Sequence, residues 1–115
     1  MEELFNIREK TVLITGASSG IGASLAEMYA KYGANVILLA RRWEKIKNLA
    51  EKLDLKYGVG TIAIKCDICN DADIKGAIDQ SIEKFEKIDI LINNAGCTEK
   101  SEDLTVHSKE QWDKV

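Results

Sequence analysis

The 115-residue sequence contains no proline and one histidine, and aromatic residues make up only 6% of it. No apolar run approaches the roughly 20 residues that span a bilayer, and the charged start of the chain has no apolar signal segment. A net charge of −3 gives no basic surface for nucleic acid or anionic membranes. We therefore predict a cytoplasmic protein without nucleic-acid or membrane partners, whose three cysteines stay reduced.

The remaining composition is that of an ordinary globular domain, with 45% hydrophobic and 30% charged residues. The end of the chain is unusual for such a domain. Ser108 and Gln111 form an S-x-x-Q capping box, which is typical of a helix start. The chain stops at Val115, about two turns later and without a helix stop signal. This pattern is interpreted as a chain cut inside a helix.

Short apolar runs alternate with segments of helical periodicity. Strands are predicted at residues 11–15, 35–40, 61–65 and 88–92. The first intervening helix carries apolar residues at helical spacing, namely Ile21, Leu25, Met28, Tyr29 and Tyr32. The second helix runs from Trp43 to near Gly58, and the third begins after the N-cap candidate Asn70. The order β-α-β-α-β-α-β predicts an α/β fold with a doubly wound parallel sheet.

A glycine-rich turn, Gly16-Ala-Ser-Ser-Gly-Ile-Gly22, joins the first strand to the first helix. Glycine permits a sharp turn and a close approach of ligand to main chain, and the helix N-terminus suits a pyrophosphate. Ser18 and Ser19 add hydroxyl groups. The turn does not have the G-x-G-x-x-G spacing of the common dinucleotide-binding fingerprint. It also lacks the G-K-[ST] ending of a P-loop, which disfavours a P-loop NTPase. The alternative is a small-residue turn that binds nothing.

The end of the second strand reads Leu39-Ala40-Arg41-Arg42. NAD sites usually place an acid here for the ribose 2′-hydroxyl, and that acid is missing. Arginine supplies the bidentate cation that a 2′-phosphate requires. This favours NADP(H) over NAD(H), although NAD(H) stays possible. The alternative is that both arginines belong to a solvated helix face.

Two cysteine patterns suggest other chemistry. Cys66-Asp-Ile-Cys69 is a C-x-x-C pair, but its first cysteine closes a strand instead of opening a helix, which disfavours a redox dithiol. With Cys97 and His107 these cysteines give a Cys₃His ligand count, yet the spacing is that of loops. We therefore expect no metal site.

Three motifs together resemble the short-chain dehydrogenase/reductase family, in its branch of about 250 residues. They are Thr15–Gly22, Asp67 after the third strand, and Asn93-Asn94-Ala95-Gly96 after the fourth. The similarity runs from about residue 8 to the last residue. It implies a Rossmann-type fold and a cofactor site formed by Gly16, Ser18, Ser19, Gly20, Ile21, Arg41, Asp67, Ile68, Asn94, Ala95 and Gly96.

The resemblance also implies a role for each position. The turn would line the phosphates and adenine ribose, and Arg41 would hold the 2′-phosphate. Asp67 would accept from the adenine amino group, with the backbone of Ile68 against the ring, and residues 94–96 would pass close to the ribose. Thr15 and Asn93 would tie strands together. From the residues alone, Asp67 is equally a helix-capping acid and the asparagine pair a turn.

The family's catalytic residues are absent from the chain. Its Tyr-x-x-x-Lys pair has no match, because Gly33, Val36 and Thr61 stand four positions after the three tyrosines. The family's catalytic asparagine would fall after Val115. Residues 1–115 are thus expected to be the N-terminal, cofactor-binding half of one domain, with no catalytic residue and no activity alone.

The parent enzyme would transfer a hydride between nicotinamide and a small carbonyl or alcohol substrate, as a homo-oligomer. The lead-in Leu4-Phe5 favours gluconate 5-dehydrogenase-like members. The alternative is a stand-alone, non-catalytic nucleotide-binding module.

Overall fold

A computed structural model describes residues 7–94, in which four strands alternate with three helices. The strands are β1 (Thr11–Thr15), β2 (Asn35–Ala40), β3 (Thr61–Lys65) and β4 (Ile90–Asn93). The helices are α1 (Gly20–Lys31), α2 (Trp43–Tyr57) and α3 (Asp71–Phe85). The α/β prediction is confirmed, whereas the helix expected after Ser108 lies outside the described residues.

The fourth strand begins two residues later than the sequence predicts. The Thr11 backbone N–H donates to the Asp89 carboxylate at 2.8 Å, and the Asp89 backbone N–H donates to the Thr11 carbonyl at 2.9 Å. A side-chain oxygen therefore takes the place of a main-chain acceptor at Asp89. Regular parallel pairing starts only at Ile90, which stands opposite Val12.

All strand pairs are parallel, in the order β3-β2-β1-β4. Leu13 lies opposite Ile37 on one side and opposite Leu91 on the other. Because the strands are parallel, their carboxyl ends meet at one edge of the sheet, where open α/β proteins bind ligands.

Helices cover both faces of the sheet. Val36, Ile37 and Leu38 in β2 are all 0% exposed. Alternate side chains face opposite ways, so that Val36 and Leu38 join the core with α1 and α2, and Ile37 joins the core with α3. Burial on both faces accounts for the continuously apolar strands.

The apolar face predicted for α1 is partly wrong. Ile21 is 69% exposed, and Met28 and Tyr32 are 43% and 40% exposed. The buried positions of α1 are instead small, namely Gly22, Ala26 and Ala30. Small residues let the helix axis approach the sheet closely, and the larger side chains are displaced to the outer side.

Helix α3 begins as the sequence predicts. The Asn70 side chain accepts hydrogen bonds from the backbone N–H groups of Ala72 and Asp73, at 2.9 and 3.1 Å. This N-cap fixes where the loop after β3 ends. Across residues 7–94, no helix combines the length and the apolar character needed to cross a membrane.

Candidate functional site

A cleft of about 220 Å³ opens at the carboxyl edge of the sheet. Three loops form it, and each follows a strand: the glycine-rich turn after β1, the arginine pair after β2, and the loop after β3. The lining residues are Gly16, Ser18, Ala40, Arg41, Arg42, Cys66, Asp67, Ile68 and Cys69. The structure thus brings together predicted residues from the ends of three strands. The predicted residues that are described but do not line this cleft are Ser19, Gly20, Ile21 and Asn94.

The glycine-rich turn is organised by one hydroxyl group. Ser19 Oγ donates to the Gly16 carbonyl at 2.9 Å and accepts from the Gly22 backbone N–H at 3.1 Å. It also accepts from Asn94 Nδ2 at 2.9 Å. Ser19 is therefore the N-cap of α1 and closes the turn. Its only proton is used within the turn, whereas Ser18 lines the cleft.

Replacing Ser19 with alanine removes the cap and both other hydrogen bonds. We expect a loss of about 0.5–2 kcal/mol in the free energy of unfolding, as for other N-cap residues. Urea denaturation followed by circular dichroism measures it. Ser24→Ala, on the exposed side of α1, is the matched control. A Ser19→Ala variant as stable as Ser24→Ala would show that the cap is unimportant.

The end of β4 is tied to this turn from the opposite side. The Asn94 backbone N–H donates to Thr15 Oγ1 at 3.0 Å, and Asn94 Nδ2 donates to the Gly16 carbonyl at 3.2 Å. Thr15 Oγ1 also lies 3.1 Å from Asn93 Oδ1. Asn94 therefore contacts the turn and is not itself one of the residues that line the cleft. The predicted residues Ala95 and Gly96 lie outside the described residues.

Gly20 and Ile21 stand where the turn becomes helix. Gly20 opens α1, and a Cβ atom built on it meets nothing within 4 Å. Ile21 exposes most of its side chain. Open space next to the first turn of a helix leaves room for an anionic group near unpaired backbone N–H donors.

Arg41 and Arg42 are exposed and line the cleft at the end of β2. No carboxylate within residues 7–94 forms an ion pair with either guanidinium. Two cations without a protein counter-ion in this part of the chain give the cleft a positive side. A solvated helix face was the alternative for both arginines, and both of them line the cleft.

The loop after β3 is held by two carboxylates. Asp67 Oδ1 accepts from the Cys69 backbone N–H at 3.0 Å, while the Asp67 N–H donates to Asp73 Oδ2 at 3.1 Å. Asn70 caps α3, so the alternative of Asp67 as the helix cap is wrong. Asp73 has a role that the sequence analysis missed. Its only signal was an acid in the first turn of the following helix.

Cys66 lies behind this loop as a free thiol that is 1% exposed. Burial, together with the negative charges of Asp73 and Asp67, raises the pKa of Cys66 to about 11. A raised acid pKa keeps the thiol protonated at neutral pH, so that Cys66 is a poor nucleophile. Because Cys66 is a free thiol, Cys66 and Cys69 do not form a disulfide with each other.

Cys69 differs from the prediction of three reduced cysteines, because it is disulfide-bonded in this structure. The prediction used cysteine number and the lack of an export signal, which carry no information about which thiols lie close together. Within residues 7–94, no cluster of histidine, cysteine or acidic side chains could hold a metal ion. Cys97 and His107, the remaining members of the Cys₃His count, are outside the described residues.

The family assignment rests on the sequence comparisons as well as on this geometry. A family model described as short chain dehydrogenase matches residues 10–115. The chain therefore belongs to the short-chain dehydrogenase family, as the three motifs indicate.

Similar proteins include both NADP- and NAD-dependent enzymes. The chain is 44% identical over 101 residues to an NADP-dependent 3-hydroxy acid dehydrogenase of Schizosaccharomyces pombe, covering 84% of this chain and 39% of that protein. It is 38% identical over 113 residues to an NAD-dependent glycerol dehydrogenase of Listeria innocua, covering 96% of this chain and 42% of that protein.

A solved structure agrees with the fold. L-sorbose reductase from Gluconobacter frateurii, complexed with NADPH and L-sorbose, superimposes with a TM-score of 0.77 at 35% identity, covering 81% of this chain and 35% of that chain. The chain spans about two fifths of the length of the Schizosaccharomyces and Listeria relatives. Their names give no specific support to the gluconate 5-dehydrogenase expectation.

Proposed function

We propose that residues 1–115 are the N-terminal, NADP(H)-binding half of a single oxidoreductase domain. The observation that carries the proposal is the pair Arg41 and Arg42, which lies on the same cleft as Asp67 and has no carboxylate partner among residues 7–94. An adenosine with a 2′-phosphate needs a cation for the phosphate and an acceptor for the adenine amino group. The cleft offers both.

The described residues fit such a cofactor. Asp67 Oδ1 holds the loop, while Oδ2 has no hydrogen-bond partner within residues 7–94 and is available to an exocyclic amine. The backbone of Ile68 lines the same wall. The turn from Gly16 to Ile21, with Ser18 on the cleft and Ser19 holding its shape, would receive the pyrophosphate at the start of α1. In the proposed site Asn94 keeps the turn in place. Ala95 and Gly96, which follow it in the sequence, are proposed to pass close to the ribose.

NAD(H) is the second candidate cofactor, and the Listeria relative favours it. Its ribose 2′-hydroxyl is usually held by an acid at the end of the second strand. Here that position carries Arg41, followed by Arg42. Neither side chain can accept a hydrogen bond, so NADP(H) is the better match.

Calorimetric titration of the chain with NADPH and NADH tests this assignment. We expect NADPH to bind more tightly than NADH, and the difference to shrink as salt is added, because the extra interaction is ionic. Equal affinities for the two cofactors would refute the role of the 2′-phosphate. A chain that binds neither nucleotide would refute the proposed function as a whole.

The whole protein would transfer a hydride between the nicotinamide and a small carbonyl or alcohol substrate, and we propose that it does so as a homo-oligomer. The residues that would polarise a carbonyl and relay a proton are not in this chain. We expect no oxidation of NADPH by the purified chain with a panel of ketones, measured at 340 nm. Turnover would contradict this assignment of the chain as a non-catalytic half.

The alternative to an oxidoreductase half is a stand-alone nucleotide-binding module. The two differ in whether the open reading frame continues past Val115. A frame that continues into a Tyr-x-x-x-Lys pair supports the oxidoreductase, and a stop codon directly after Val115 supports the module.

A further inference from the structure

Strand β3 is an outer strand of the sheet formed by residues 7–94. Its inner side pairs with β2 along the whole strand. Two hydrogen bonds at the ends of this ladder show which residues face β2: the Gly60 carbonyl accepts from the Val36 N–H, and the Cys66 N–H donates to the Ala40 carbonyl, each at 3.0 Å. In a parallel strand the N–H and C=O of one residue point to the same side, and the side alternates. The backbone groups of Thr61, Ala63 and Lys65 therefore face away from the sheet.

Two side chains from different helices cover this outer side. Lys84 Nζ, on α3, donates to the Thr61 carbonyl at 2.8 Å. Trp43 Nε1, at the start of α2, donates to the Ala63 carbonyl at 3.3 Å. Lys65, the next outward-facing residue, is itself an exposed lysine. Two of the three outward carbonyls are thus occupied by side-chain donors.

Both donors are also held by neighbouring groups. Lys47 Nζ lies 5.0 Å from the centre of the Trp43 ring, and Lys84 Nζ lies 5.5 Å from the centre of the Phe85 ring. Phe85 packs against the core on the α3 side of the sheet. The covering groups therefore stand in defined positions, with ammonium charges on both sides of the edge.

An uncovered outer strand is a template for pairing with another chain. The sequence Thr61-Ile-Ala-Ile is rich in β-branched residues, which favours such pairing. Proline is a common way of blunting an edge, and this chain has none. We propose that Trp43 and Lys84 are edge-blocking residues, which keep β3 from pairing with a second copy of the chain.

The double variant Trp43→Phe and Lys84→Met tests the proposal, since it keeps an aromatic ring at residue 43 and an unbranched side chain at residue 84 and removes both donors. We expect a larger associated fraction than for the unmodified chain in sedimentation velocity. Hydrogen–deuterium exchange should show added protection at residues 61–65 on association. The matched control, Lys45→Met with Tyr57→Phe, alters an exposed lysine of α2 and a hydroxyl bonded to Glu27, and leaves the edge donors and the lysines near their rings intact.

Two results would overturn the proposal. One is an associated fraction no larger than that of the control. The other is added protection at residues 90–93 alone, which would place the contact on β4. If the double variant does not fold, Lys84→Met alone removes one donor and gives the same two readouts. Because none of these measurements involves nucleotide, their outcome is independent of the proposed cofactor.

Discussion

Replacing Arg41 with alanine is expected to lower the affinity for NADPH by about 10- to 150-fold and to leave the affinity for NADH nearly unchanged. A hydrogen bond to a charged group contributes roughly 1.5–3 kcal/mol, which corresponds to that range of affinity. The guanidinium has no carboxylate partner within residues 7–94, so its removal leaves no orphaned acid there. Calorimetry with both cofactors measures the change.

Lys45→Ala is the matched control for this variant. Lys45 is an exposed cation on α2, four positions along the chain, and it does not line the cleft. Its loss should change the affinities for both cofactors by a similar, small factor through the general field alone. If Arg41→Ala lowered the affinities for NADPH and NADH by the same factor, Arg41 would contribute only to the overall electrostatic field of the protein, and its proposed 2′-phosphate role would be wrong.

Replacing Gly22 with alanine is expected to destabilise the fold by at least about 1–3 kcal/mol, the usual cost of overpacking. A Cβ atom on Gly22 would lie 2.3 Å from the Gly16 carbonyl oxygen and 2.9 Å from both Ala17 Cα and Asn94 Nδ2. Two of these neighbours are backbone atoms, which cannot move aside without opening the turn. The midpoint of urea denaturation should fall accordingly.

Gly20→Ala is the control, because a Cβ atom on Gly20 meets nothing within 4 Å. Inside a helix, alanine is favoured over glycine by roughly 0.5–1 kcal/mol, and we expect Gly20→Ala to retain full stability. The same methyl group would stand where the pyrophosphate is proposed to lie, so its effect should appear in NADPH affinity. Equal stability of the Gly22 and Gly20 variants would contradict the described packing of the turn.

Much of the fold could be predicted because periodicity and turn residues agree along the chain. The limits of β1 to β3, the Asn70 cap and the stop at Gly58 all follow local rules. The buried face of α1 does not follow from such local rules. Apolar spacing cannot show that close packing on the sheet selects Gly22, Ala26 and Ala30 over larger side chains. The start of β4 depended on a side-chain contact between Asp89 and Thr11, which are 78 positions apart.

The candidate site was predictable in its location and less so in its internal bonds. Parallel strands bring their carboxyl ends together, which places Gly16, Arg41 and Asp67 on one cleft. The role of Ser19 as a cap that also binds Asn94 does not follow from the sequence, because serine is equally suited to a ligand and to a helix N-terminus. The roles of Asp73 and of the disulfide-bonded Cys69 likewise depend on tertiary proximity.

The most direct test is a backbone-amide NMR titration of the chain with adenosine 2′,5′-bisphosphate and with adenosine 5′-monophosphate, which differ only by the 2′-phosphate. We predict chemical-shift changes at Gly16 to Gly20, at Arg41 and Arg42 and at Asp67 and Ile68, with tighter binding of the bisphosphate. Shift changes confined to other parts of the chain, or equal binding of the two nucleotides, would contradict the proposed NADP(H) site.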